Sequence, residues 1–142
     1  MYARGIIIGI TRGTTRGHIV RATLEAIAYQ VRDVADIMSA EAKVKIPSLR
    51  VDGGGTANSL LMQFQADILG IPIHLTAVPD TTALGAGYLA GLAVGVWKDT
   101  AEIARKCYTS RTYEPKMTAD QRESLYHKWN QAVERSRNWA TD

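Results

Sequence analysis

The residues with the clearest potential for chemistry are V-D-G-G-G-T-A-N at positions 51–58, between an expected strand and an expected helix. Three consecutive glycines cost conformational entropy on folding, so a protein that keeps them usually needs positive φ angles or close approach of another group to the backbone. The helix that follows supplies free N–H groups and a partial positive charge at its start, which suits a phosphate or a nucleotide. A plain strand-to-helix turn is the alternative, and neither the P-loop nor the Rossmann glycine motif is present.

The titratable side chains give weaker signals. Asp52 is the best-placed carboxylate, because it lies at a strand end beside the glycines, but one carboxylate does not make an acid and base pair. Asp67 falls in the middle of an expected helix, and we expect it on the surface. His18, His74 and His127 fall in three different elements without any C-x-x-C. The sequence therefore predicts no metal site and no catalytic residue.

A second glycine pattern is A-L-G-A-G-Y-L-A-G-L-A-V-G at positions 83–95. Gly87, Gly91 and Gly95 are spaced four apart, so they lie along one side of a helix and let another backbone approach. The spacing favours helix packing, and a helix that crosses at a hinge between two lobes is the functional alternative.

Strands and helices alternate around these motifs. Short apolar runs rich in β-branched residues predict strands at 5–11, 48–51 and 71–78. Apolar periodicity predicts a helix after each strand, at 18–41 with Thr14 or Thr15 as cap, from Thr56 or Asn58 to a C-terminal cap at Gly70, and at 81–97. This order predicts an α/β sheet with crossover helices.

The sequence predicts helices in the C-terminal region. Asp99 and Glu102 resemble a capping pair for a short helix near Ile103, and Thr118 with Gln121 makes a capping box for the last helix. The expected packing stripe of that last helix consists of Leu125, Trp129, Ala132, Val133, Ser136 and Trp139, which favours core positions over ligand stacking for its two tryptophans.

Composition bounds the class of protein. The chain has 142 residues and is 46% hydrophobic, enough for one packed core and too apolar for disorder. Its 17 basic residues are interleaved with acidic ones at both ends, and residues 51–97 contain three Asp and no Lys or Arg, which argues against nucleic-acid binding. The uncharged run at 81–97 contains four glycines and favours a buried helix over a membrane span.

The single cysteine, Cys107, cannot form an internal disulfide and is expected to be a structural thiol in a reducing compartment. The N-terminal residues lack the layout of a signal peptide. We therefore expect a cytoplasmic location.

Three blocks of sequence carry a family resemblance. They read T-R-G-T-T-R-G-H-I-V-R-A-T-L-E-A-I-A-Y-Q-V-R-D-V from Thr11, S-L-R-V-D-G-G-G-T-A-N-S-L-L-M-Q-F-Q-A-D-I-L-G from Ser48, and T-A-L-G-A-G-Y-L-A-G-L-A-V-G-V-W from Thr82. In this order they resemble the C-terminal part of the FGGY carbohydrate kinases of the actin-like ATPase superfamily. Two stretches, A-T-L-E-A-I-A-Y-Q and F-Q-A-D-I-L-G, favour the glycerol kinases within that family.

The resemblance extends from Tyr2 to Trp139 and implies a fold and a function. The fold is a partial ribonuclease-H-like (actin-like ATPase) α/β domain with a C-terminal helical tail. Residues 1–142 would be the nucleotide-binding domain, incomplete at its N-terminus. The whole enzyme would transfer phosphate from ATP, with Mg²⁺, to glycerol.

The same resemblance assigns the site residues. It implies that Asp52, Gly53 and Gly54 form the adenosine motif and that Gly54 and Asn58 contact the nucleotide, while the glycine-rich helix connects the two lobes. The sequence departs from the usual family residues at Gly55, Thr56, Ser59 and Gly87, which leaves both contact positions intact.

The family's glycerol contacts, catalytic Asp and most of its Mg²⁺ environment match no residue of this chain, so we expect the isolated chain to be inactive. The strand at 5–11 would also lack its family neighbours, which predicts a homo-oligomer or dependence on a partner. A non-catalytic nucleotide-binding or assembly module and a fragment of another FGGY sugar kinase remain alternatives.

Overall fold

The computed structural model describes residues 2–78, 80–106 and 108–140, so the expectation for Cys107 lies outside the described residues. The elements in chain order are α1 (Arg16–Ala42), β1 (Leu49–Val51), α2 (Ser59–Leu69), β2 (Ile73–Thr76), α3 (Thr81–Ala93), α4 (Thr100–Lys106), β3 (Thr109–Tyr113) and α5 (Ala119–Ser136), with a 3₁₀ turn at Gly54–Ala57. The prediction of an α/β domain with a helical tail is confirmed.

The described sheet has three strands in the order β1-β2-β3. Strands β1 and β2 are parallel, with Leu49 opposite Ile73, and α2 makes the crossover between them. Strand β3 runs antiparallel to β2 and places Tyr113 opposite Ile73. The sequence did not predict β3, because four of its five residues are exposed polar residues and give no apolar alternation.

The core lies between one face of the sheet and α1, α2 and α5. Ile68 of α2 and Ile73 of β2 are fully buried there. The ring of Tyr29 meets the edge of Phe64 at 5.4 Å between centroids and stacks on Trp129 at 5.2 Å. The core role expected for Trp129 is therefore confirmed, and this residue joins α5 to α1.

Polar contacts strengthen the attachment of α5 to α1. The half-buried Asp33 carboxylate accepts hydrogen bonds from Tyr126 Oη at 2.6 Å and Trp129 Nε1 at 2.9 Å. The buried Arg32 guanidinium donates to Glu123 at 2.7 Å and lies 3.8 Å from the centroid of the Tyr126 ring. Charge-assisted bonds of this kind hold two elements in one geometry.

Asp67 corrects an expectation, because it is buried rather than on the surface. The chain before α5 crosses α2 here, and the backbone N–H groups of Lys116 and Met117 donate to Asp67 Oδ1 at 2.5 and 3.3 Å. Gln63 Nε2 donates to the same oxygen at 3.1 Å. These three donors satisfy a carboxylate that would otherwise be costly to bury.

The predicted caps are confirmed. Of the alternatives offered by the sequence, Thr15 caps α1 and Asn58 caps α2. Thr15 caps α1 in a reciprocal box with His18, and Thr118 does the same for α5 with Gln121. Gly70 ends α2 in the left-handed conformation, at φ 69°. Asp99 Oδ1 accepts from the backbone N–H of Glu102 at 2.8 Å near the start of α4.

The strand expected at residues 5–11 does not form. This apolar run pairs with no strand among the described residues, and Ile7, Ile8 and Ile10 are more than half exposed. Its N-terminal end is held instead near the end of α5, where the Arg4 N–H donates to the Ser136 carbonyl at 3.3 Å. A β-branched run becomes a strand only where a neighbouring strand completes the hydrogen bonds.

Three further boundaries differ from the predictions. Helix α3 ends at Ala93 rather than 97 and has no buried residue, whereas a buried helix was expected. The chain reaches φ 77° at Gly95, which does not continue a right-handed helix. Strand β2 is shorter than 71–78, and Trp139 lies beyond α5 and is 69% exposed.

No helix in the described part of the chain combines the length and apolar character that a membrane crossing requires.

Candidate functional site

The glycine turn follows β1 at the carboxyl edge of the two parallel strands, the edge where open α/β sheets bind ligands. Gly53 has φ 90° and ψ 174°, a conformation that side chains oppose. Thr56 fixes the turn, because its backbone N–H and its hydroxyl donate to the Gly53 carbonyl at 3.1 and 2.7 Å. The turn therefore requires glycine at position 53 for reasons of backbone geometry alone.

Gly54 differs from Gly53. A Cβ on either residue would meet no atom within 4 Å, but Gly54 lacks the positive φ that requires glycine at position 53, and it is exposed at the first position of the 3₁₀ turn. Internal packing therefore does not require glycine there. The missing side chain leaves open surface against which a flat or bulky ligand group can approach the backbone.

Asn58 connects the turn to α2. Its side-chain Oδ1 accepts from the backbone N–H groups of Leu60 and Leu61, both at 3.1 Å, so Asn58 is the N-cap of α2. Because its oxygen is used by the helix, any contact of the Asn58 side chain with a ligand falls to the Nδ2 group, which donates. Gly54 and Asn58 lie one 3₁₀ turn apart on the same short segment.

Asp52 is bound by the first residue of α3. Its Oδ2 accepts from the backbone N–H of Thr81 at 3.2 Å and from the Thr81 hydroxyl. The Thr81 hydroxyl, followed by its N–H, lowers the pKa of the Asp52 carboxyl below its ordinary value. A carboxylate with a lowered pKa whose Oδ2 already accepts two hydrogen bonds is a weak general base. Sequence reasoning missed Thr81, because no spacing rule links residues 29 positions apart.

A cavity of about 300 Å³ lies between α3 and the sheet, next to Asp52. Its lining includes Arg50, His74, Thr76, Thr81, Tyr88 and Tyr108. The His74 ring is engaged with the Thr112 hydroxyl at 2.9 Å across the strands. The cavity separates much of α3 from the sheet.

A Mg²⁺ ion needs several oxygen ligands that converge on one position. Within residues 2–78, 80–106 and 108–140, no three His, Cys, Asp or Glu side chains converge on a possible metal position. Asp52 is a single carboxylate already engaged by Thr81. Mg²⁺ takes oxygen ligands in octahedral geometry, and these residues do not fit it by themselves.

Comparison with known sequences gives a consistent result. The FGGY family of carbohydrate kinases, C-terminal domain, matches residues 2–94. Glycerol kinase 2 of Thermotoga maritima is 61% identical over 139 residues, which cover 98% of this chain and 28% of that protein. Glycerol kinase of Pseudothermotoga lettingae is 62% identical with the same coverage. The chain spans about 28% of the length of these curated relatives.

Solved structures share the fold as well. A crystal structure of Plasmodium falciparum glycerol kinase with ADP superposes with a TM-score of 0.85 at 36% identity, over 95% of this chain and 27% of that one. Xylulose kinase from Rhodospirillum rubrum gives a TM-score of 0.82 at 26% identity, over 95% and 28% of the two chains. The actin-like ATPase fold that the sequence predicted is confirmed, and the chain belongs to the FGGY family of carbohydrate kinases.

Proposed function

We propose that this chain is the nucleotide-binding portion of a glycerol kinase and that the turn at residues 53–58 holds the adenosine of ATP or ADP. The observation that carries the proposal is the open surface at Gly54, at the carboxyl edge of the sheet and directly before a helix N-terminus. The similarity to an ADP-bound glycerol kinase supports the choice of nucleotide.

Each proposed site residue has a distinct part. The backbone of Gly54 lies against the nucleoside, and the Nδ2 group of Asn58 donates a hydrogen bond to it. Gly53 supplies the positive-φ backbone conformation that precedes Gly54. Asp52 completes the motif on the strand side. No basic side chain is needed, in agreement with the absence of Lys and Arg from residues 51–97.

The proposed reaction of the whole enzyme is ATP-dependent phosphorylation of glycerol to glycerol 3-phosphate. Phosphoryl transfer depends on positioning both reactants and on stabilising charge with metal ions and cationic groups. The described residues provide one engaged carboxylate near the turn and no fit for Mg²⁺. We therefore propose that these 142 residues do not phosphorylate glycerol by themselves. Glycerol-dependent ADP release by the purified chain, measured in a coupled assay, would contradict this.

Isothermal titration of ADP into the purified chain tests the nucleotide site. We expect saturable binding by the natural sequence and its loss in Gly54→Val, because a branched side chain would fill the surface against which the nucleoside packs. Gly5→Val is the matched control, since Gly5 also has open space for a Cβ and lies outside the turn. Circular dichroism verifies that both variants fold.

Two results would overturn the assignment. The first is ADP binding by Gly54→Val with the affinity of the natural chain, which would place the nucleotide elsewhere. The second is absence of heat at millimolar ADP from a chain shown to be folded, which would mean that these residues do not form the site.

A specific observation favours a second candidate, an assembly module. The apolar side chains of Ile7, Ile8 and Ile10 are 68%, 55% and 59% exposed on a segment that pairs with no strand in the described part of the chain. Such a segment is typical of a surface that pairs with another chain. We propose a homo-oligomer or a partner-dependent state, and light scattering that gave a clean monomer at high concentration would count against it.

Another FGGY sugar kinase is the remaining alternative within the family, since xylulose kinase shares the fold. Substrate exchange in a full-length enzyme that carries these residues would separate the two. Phosphorylation of a pentulose in preference to glycerol would contradict the glycerol assignment.

A further inference from the structure

Helix α3 is attached to the rest of the molecule in an unusual way. None of its residues is buried, and a cavity of about 300 Å³ lies between Thr81, Leu84 and Tyr88 of the helix and the sheet. Packing therefore does little to fix the position of α3. Its first residue, by contrast, donates two hydrogen bonds to Asp52 of the glycine turn.

The two donors of Thr81 make this contact directional. Both donors reach the same atom, Asp52 Oδ2, so this oxygen is held against the first residue of α3 by two charge-assisted hydrogen bonds. Asp52 directly precedes Gly53, whose φ of 90° sets the direction of the turn. Whatever holds Asp52 therefore also determines where the following residues of the turn lie.

A second aspartate at the same helix end has a different role. Asp80 is the N-cap of α3, and its Oδ1 accepts from the backbone N–H of Ala83 at 3.0 Å. Asp80 stabilises the first turn of α3, and its hydrogen bond to Ala83 remains within α3 and its cap. The chain thus offers two carboxylates at one helix N-terminus, one of which connects the helix to the turn.

We propose that Asp52 is a positioning residue that acts through Thr81: it holds the turn at residues 53–58 in its binding conformation and couples this turn to α3. This inference deepens, and rests on, the proposed nucleotide site. Because coupling between two positions is reciprocal, nucleotide at the turn slows the opening of the first turn of α3, and loss of the Asp52–Thr81 contact weakens nucleotide binding.

Amide hydrogen exchange of the ligand-free chain tests the coupling without any nucleotide. In Asp52→Ala we expect about tenfold faster exchange of the Thr56 and Asn58 amides, which close the turn. Thr81→Val loses the hydroxyl donor and keeps the N–H donor, so exchange of these amides should be faster than in the natural chain by a smaller factor. Thr81→Ser keeps the hydroxyl and should stay within about twofold of the natural chain. The control Asp80→Ala should speed exchange at Ala83 and change exchange in the turn by less than Asp52→Ala does, because it keeps the Asp52–Thr81 contact.

Titration of ADP into the same variants gives the functional readout. We expect affinity about tenfold weaker in Asp52→Ala and a smaller loss in Thr81→Val, with the double variant no weaker than Asp52→Ala. Thr81→Ser should bind as the natural chain does, and Asp80→Ala should weaken binding by less than Asp52→Ala does. If Asp52→Ala fails to fold, the pair Thr81→Val and Thr81→Ser carries the test.

Unchanged exchange in the turn of Asp52→Ala and Thr81→Val would overturn the coupling. Equal effects of Asp80→Ala and Asp52→Ala on the turn would also overturn it, because the cause would then be the stability of α3. If the natural chain binds no ADP, the proposed function fails. The exchange pattern of the ligand-free chain then still decides whether Asp52 acts through Thr81.

Discussion

Two regions rich in aliphatic side chains lie in different environments. One consists of helices α1 and α2, and the other is the N-terminal segment at residues 5–11. Ile68 of α2 is fully buried against the sheet and α1, whereas Ile7 of the N-terminal segment is 68% exposed. Both residues contribute in the same way to any count of hydrophobicity. They differ in whether the described fold places another element over them.

The comparison shows that an apolar sequence favours burial but does not specify which element packs over it. Helix α2 finds its partners through the β1–α2–β2 crossover, which folds it back over the strands it connects. The N-terminal segment and α3 have no comparable partner among the described residues. We therefore expect α1 and α2 to determine the stability of the fold. The N-terminal segment and α3 should determine association and the response to ligand.

The largest expected effect is at the centre of the core. Ile68→Ala should lower the free energy of unfolding by about 2–5 kcal/mol, because it removes buried methyl groups and leaves a cavity. Ile7→Ala makes the same chemical change at an exposed position and should cost less than about 0.5 kcal/mol. Urea denaturation measures both. An equal loss in the two variants would mean that residues 5–11 are covered in solution.

The buried carboxylate should give the next effect. Asp67→Asn leaves the chain before α5 with a weaker acceptor for the Lys116 and Met117 N–H groups, and we expect a loss of about 2 kcal/mol. Asp36→Asn alters a 56% exposed side chain that accepts from Arg32 and should cost less than about 0.5 kcal/mol. Urea denaturation measures both variants. Equal midpoints for Asp67→Asn and Asp36→Asn would contradict the burial of Asp67.

Two glycines should respond to alanine with opposite signs. Gly70→Ala should lower stability by about 1 kcal/mol, because φ is 69° and the new Cβ would meet the Arg122 guanidinium. Gly54→Ala meets open space at a φ outside the left-handed region and should be neutral or stabilising by about 0.5 kcal/mol. Thermal melts distinguish the signs, and destabilisation by Gly54→Ala would show that the turn needs glycine for its fold.

The last prediction concerns alkaline pH. Burial, together with the Asp33 carboxylate, raises the pKa of Tyr126 to about 12, and burial, together with Glu25, raises the pKa of Tyr29 to about 12. The folded state favours the neutral phenols, so this stabilisation is complete below pH 10 and is lost as the pH rises toward 12.

Tyrosinate absorbance during a pH titration, followed with circular dichroism, measures this loss. Tyr126→Phe should remove one tyrosine with a raised pKa. The stability of the variant should therefore depend less on pH between 10 and 12. Titration of all tyrosines near their ordinary pKa in the folded chain would contradict the buried environment of Tyr29 and the Asp33 contact of Tyr126.

Local interactions made much of this protein predictable from sequence. The helix caps, the helix end and the glycine turn after β1 each involve residues within a few positions of each other. The caps are at Thr15, Asn58 and Thr118, and the helix end is at Gly70. Short loop closure and backbone geometry suffice to determine such features. The order of β1, α2 and β2 follows equally from apolar periodicity, and family-specific blocks of sequence identified the FGGY kinases.

Tertiary structure alone decided the rest, because the deciding partners lie far apart in sequence. Asp67 is buried by residues about 50 positions later, and Asp52 is bound by Thr81 of another element. Strand β3 forms through pairing with β2 and without an apolar pattern, while residues 5–11 have the pattern and no described strand to pair with. Sequence thus determined local conformation and family, and the meeting of distant residues determined burial, pairing and the setting of the candidate site.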